Sequence, residues 1–126
     1  MTDEEVSKLQ AEILQLHGQR VSILEELTRL HRIRAAIKVK SDVKLQLRRK
    51  LTDEFDRARG RVDSLDTVDP LNLFAMAARI REVDAEYRHL DDVDTPWYDK
   101  LQTQNTKLSE IEKRLREHIS ALVPAE

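Results

Sequence analysis

The chain has 126 residues, 40% hydrophobic and 37% charged, with 22 Lys and Arg against 24 Asp and Glu for a formal charge of -2. Two glycines, five aromatics and no cysteine argue against sheet-rich folds and Gly-loop nucleotide sites, and exclude disulfides, thiolate metal centres and cysteine nucleophiles. The near-balance of charge gives no global attraction to nucleic acid or acidic lipid, so any such attraction must be local.

Residues 3–38 carry the clearest pattern. Val6, Leu9, Ile13, Leu16, Arg20, Ile23, Leu27, Leu30, Arg34 and Ile37 recur at alternating three- and four-residue steps, which predicts a helix presenting one stripe to a partner helix for about 50 Å. The aliphatics Leu9, Ile13, Leu16, Ile23, Leu27, Leu30 and Ile37 are the candidate partner-binding seam. Leu14, Val21, Leu24 and Ile33 flank that seam and widen the apolar face, as expected for packing against two neighbours. Arg20 and Arg34 fall on the seam itself, where each must snorkel, pair with a carboxylate or set register.

Continuing the pattern would place Ser41 and Lys44 on the seam, so the spacing predicts a break at 38–42 and a second series at Val43, Leu47, Leu51, Phe55, Ala58, Val62 and Leu65. A long helical hairpin over 3–66 follows, with a single kinked helix of about 60 residues as the alternative, since no Gly or Pro enforces a turn. Asp69 before Pro70 reads as an N-cap and first-turn pair that starts the next helix. That helix has its seam at Leu73, Met76, Ile80, Val83, Tyr87 and Leu90. The acidic stretch 91–95 before Pro96 repeats the signal, and a final helix is expected through Leu101, Gln104, Leu108, Ile111, Leu115, His118 and Leu122, ending near Pro124. The expected fold is therefore a single all-α domain over 1–126, built as antiparallel helical hairpins at 3–66 and 69–123 that form an elongated coiled coil or four-helix bundle.

Little in the sequence points to catalysis. Glu86 and His89 have the Glu-x-x-His spacing of di-iron bundles, but no second copy exists in the chain. His17 and His31 lie too far apart along a helix to share a metal, and the hydroxyls lack a base held by an orienting group. No catalytic residue, metal ligand, cofactor or small-molecule substrate is expected. No apolar run approaches the roughly 18 residues of a membrane span, and the acidic N-terminus lacks the apolar stretch of a secretory signal. A cytoplasmic protein without membrane contact is the expectation.

Charge segregation is the most informative polar feature. Between residues 29 and 50, Arg29, Arg32, Arg34, Lys38, Lys40, Lys44, Arg48, Arg49 and Lys50 stand against Asp42 alone, while 82–99 hold seven acids and only Arg88. If the helices bring these segments together, the charges are intramolecular partners; if the first two helices project as an arm, the basic apex is free for an acidic partner or a phosphate backbone. Trp97 and Tyr98 form a candidate aromatic anchor, as an interface hot spot or as a plug in the helical core. The leading expectation is a non-enzymatic coiled-coil interaction protein, a structural subunit or adaptor that binds protein through its helices as a homo-oligomer or hetero-complex. The alternative is a small regulator or inhibitor whose basic segment 29–50 binds nucleic acid or a nucleic-acid-binding partner.

Overall fold

The computed structural model describes residues 1–60 and 69–123. Over these the chain is all-α, with α1 at Asp3–Gly60 and α2 at Pro70–Leu122, and no strand among the described residues. Among the same residues, no helix is long and apolar enough to cross a membrane.

Both helices begin on local hydrogen bonds written into the sequence. In α1 the Glu5 amide donates to Thr2 Oγ1 at 3.2 Å and the Thr2 amide to Glu5 Oε2 at 3.4 Å. This reciprocal capping box satisfies two backbone donors that a helix start otherwise leaves unpaired. At the start of α2 the Asp69 carboxylate accepts from the Leu71 and Asn72 amides, with Pro70 in the first helical position as expected.

The four predicted helices are two, and over Asp3–Gly60 the alternative of a single long helix is the one found. α1 passes through 38–42 without a turn, and Pro96 lies inside α2 instead of starting a new helix. No Gly or Pro interrupts 38–42, so nothing in the backbone stops the helix there. Of the predicted second series, Leu47, Leu51, Phe55 and Ala58 are half-buried and Val43 is 58% exposed, but Ser41, Lys44 and Arg48 are half-buried as well, so the first series continues through 38–42 and runs into the second. On α2 the partly or fully buried positions Tyr87, Leu90, Asp94, Trp97 and Leu101 keep the three-four spacing straight past Pro96. Pro96 itself is exposed, so its ring meets water, and the adjacent Thr95 hydroxyl donates to the Asp91 carbonyl at 3.1 Å. The expected continuation of the first hairpin to residue 66, with Val62 and Leu65, lies outside the described residues, as does the stop at Pro124.

The chain divides into two compact units, one of Met1–Ile33 with Trp97–Glu126 and one of Arg34–Pro96. In the first, α1 and α2 pair antiparallel: Glu12 meets His118, Arg20 meets Glu112, and Leu27 and Leu30 pack with Leu101. Ile23, Leu24, Trp97 and Leu108 close around that cluster, and Leu16 and Leu115 are also buried. The second unit is antiparallel as well, with Arg34 on Asp94, Lys44 on Glu86 and Arg48 on Asp84. Its core is thin, since Val83 is its only buried hydrophobic residue among those described. The rest of its apolar contact comes from half-buried side chains, among them Ile37, Leu47, Leu51, Phe55, Ile80, Tyr87 and Leu90.

Candidate functional site

The predicted seam residues face the chain's own second helix. Leu16, Leu27 and Leu30 are buried, and Leu9, Ile13, Ile23 and Ile37 are half-buried. The seam cations are each matched by an acid of α2. Arg34 makes a bidentate fork to Asp94, Nε to Oδ1 at 3.0 Å and Nη2 to Oδ2 at 2.9 Å. Arg20 Nε lies 3.5 Å from Glu112 Oε2. Lys44 Nζ donates to Glu86 Oε2. Arg48 Nε sits 3.1 Å from Asp84 Oδ1, an ion pair without hydrogen-bond alignment, while the other Asp84 oxygen takes Arg88 from the next turn of α2.

These contacts decide the fate of the basic segment. Arg34, Lys44 and Arg48 are tied to acids of the 82–99 stretch, the internal pairing that the charge pattern allowed. Arg29 is held locally by Glu26, whose fork raises the guanidinium's affinity for its proton and lowers that of the carboxylate. Arg32, Lys38, Lys40, Arg49 and Lys50 are exposed, and no ion pair to them occurs among the described residues. They point to several sides of α1 and do not gather into one patch, as their positions at 100° per residue require.

The hydrogen bond from Lys44 holds the Glu86 carboxyl below its ordinary range, with the charges of Lys44 and Arg79 acting in the same direction against desolvation. A carboxyl lowered in the folded state contributes stability above its ordinary value of about 4.3, and that contribution is lost as pH falls through the folded value. Lys44→Met is expected to remove this linkage. Thermal melts should show the wild-type advantage over Lys44→Met at neutral pH shrinking through the carboxylate range in acid; a constant difference would mean that the pair carries no linked stability.

Trp97 and Tyr98 part company in the structure. Trp97 packs against the Leu27, Leu30 and Leu101 cluster with the Lys100 ammonium 4.6 Å from its ring centroid, whereas Tyr98 remains 45% exposed. Trp97 thus plugs the helical core, and Tyr98 alone keeps a place on the surface.

Glu86 is engaged by Lys44 and His89 is exposed, and no group of three or more candidate metal-binding side chains occurs among the described residues. His118 Nε2 lies 3.1 Å from Glu12 Oε2, and its Nδ1 lies 2.7 Å from the Arg114 carbonyl, so this seam histidine links α2 to α1. What sequence reasoning missed is the acid for each seam cation, because each lies 36 to 92 residues away and only the antiparallel register reveals it. No family model matches the chain, and no curated protein or solved structure is significantly similar to it.

Proposed function

We propose that this chain is a non-enzymatic helical interaction protein, a coiled-coil subunit or adaptor of a larger assembly. The observation that carries the reading is what remains uncovered after α1 and α2 have paired. Leu14, Val39, Val43, Leu71, Phe74 and Ile119 lie on helices and are more than half exposed, with Leu71 and Phe74 one turn apart on α2. Within each unit two helices form one layer, and a layer exposing aliphatic or aromatic side chains on its outer faces is suited to another helix. Affinity then comes from apolar burial between helices, with the surrounding charges selecting orientation.

The test is purification of the tagged full chain from its native source under mild conditions, followed by Phe74→Glu. A complex of fixed stoichiometry, with a subunit lost in the variant while helicity is unchanged, is the expected result. A chain that elutes alone from every preparation overturns the reading. The nucleic-acid alternative draws on Lys38, Lys40, Arg49 and Lys50, which are exposed in the second unit. It requires binding that weakens steeply with salt, and filter binding at low and high salt decides it.

A further inference from the structure

In the first unit the two flanks of the helix pair differ in charge. Stepping by three and four from Ser7 to His31 along α1 passes Gln10, Leu14, His17, Val21, Leu24 and Thr28 without meeting one Lys, Arg, Asp or Glu. The matching flank of α2 runs through Tyr98, Gln102, Asn105, Ser109 and Ile119; its fixed charges are Arg116 and Glu112, the latter engaged by Arg20. The opposite flank carries Glu5, Lys8, Glu12, Glu26 and Arg29 on α1 and Lys100, Lys107, Glu110 and Arg114 on α2. Open grooves lined by Gln19, Ser22, Lys107, Glu12 and Arg114 bring the charged flanks of both helices to one side. The charge-poor flanks therefore share the other side, where Leu14 is 71%, Ile119 53% and Val21 39% exposed.

We infer that this charge-poor face of the first unit is the contact surface for a second copy of the chain. The inference rests on the interaction-protein reading above and names its partner. In a two-fold interface each patch meets itself, so side chains near the axis face their own copies and any fixed charge there would face a like charge. A face whose fixed charges are Arg116 and the Glu112 engaged by Arg20, in a chain that is 37% charged, comes near that requirement, and Gln10, Gln102 and Asn105 can both donate and accept in such a contact. A foreign partner has no need of this neutrality, since opposite charges would improve its orientation. The size also fits. At about 1.5 Å per residue and about 10 Å per helix the face covers roughly 700 Å², close to the roughly 800 Å² per partner of a standard stable interface. The two copies would place four helices around one layer in which Leu14, Val21 and Ile119 are the exposed aliphatics.

Light scattering coupled to size exclusion on the full chain, at about 100 µM to exceed the micromolar end of affinities for interfaces of this size, is the test. Twice the mass of one chain is expected for the wild type, and the mass of one chain for Leu14→Glu combined with Ile119→Glu, with helicity retained. Gln10→Lys combined with Asn105→Lys adds like charges to the same face without removing an apolar contact, and should also give monomer. Ser22→Glu on the opposite flank should leave the dimer intact. A monomeric wild type, or a dimer that survives both face variants, overturns the inference. A monomer that still purifies with a stoichiometric partner overturns self-association alone; one that captures nothing overturns the functional reading as well.

Discussion

Leu30→Ala is expected to destabilise the protein by about 3 kcal/mol, within the range of about 2 to 5 kcal/mol for truncating a buried leucine. Leu30 is 0% exposed and shares its cluster with Leu27 and Leu101, while Ile23, Leu24, Trp97 and Leu108 are only partly buried around it. A pair of helices has no further layer with which to fill the cavity, so collapse recovers little of the loss. Urea unfolding followed by circular dichroism gives the comparison directly. Gln15→Ala, at an exposed position of α1 outside the proposed contact face, is the control and should stay within about 0.5 kcal/mol of wild type. Equal effects at the two positions would show that Leu30 is not the centre of the pairing.

Pro96→Ala should act in the opposite direction, raising stability by about 2 kcal/mol. Proline in a helix interior is roughly 3 kcal/mol less favourable than alanine, because it lacks the amide proton and crowds the carbonyl one turn back. Here that carbonyl belongs to Asp92, and the ring lies on the exposed side of α2, where its removal empties no core. Part of the gain is offset because alanine gives the unfolded chain more freedom. The denaturation midpoint should rise at unchanged slope. A fall would mean that the ring makes a contact worth more than the missing hydrogen bond.

Pro96 also shows why the helix count was not legible from sequence. An acidic run followed by proline is a good helix start, as Asp69 and Pro70 demonstrate at α2. The same pattern at 91–96 stays helical because the seam on either side is in phase: Leu90, Asp94, Trp97 and Leu101 continue one stripe. The phase was readable, but the acidic run before a proline also reads as a helix stop and start. Arg34 resolves it, since the fork to Asp94 makes a charged residue acceptable on a partly buried stripe.

A similar error accounts for 38–42. Ser41 and Lys44 looked unfit for a seam because an unpaired buried charge is costly, and the penalty disappears once Glu86 stands opposite Lys44. By contrast, the aliphatic stripe from Leu9 to Ile37 needed no distant partner to be recognised, and its buried members are where periodicity placed them. The uncharged flank from Ser7 to His31 was partly visible, as Leu14, Val21 and Leu24 beside the seam. Its neutrality gained meaning only when Gln102, Asn105 and Ile119 were seen to share the same side.

That α2 of the same chain covers the α1 seam is tested most directly by methyl NOEs between Leu30 and Leu101. The sample should mix two populations, one labelled only at leucine methyls and one unlabelled, so that contacts within a chain are separated from contacts between chains. Pairing within the chain predicts a Leu30 to Leu101 cross-peak that keeps its intensity per labelled chain when the labelled protein is unfolded, diluted with unlabelled protein and refolded. A cross-peak that fades in proportion to that dilution would show that the seam is covered by another molecule, and would contradict the antiparallel pairing from which the rest follows.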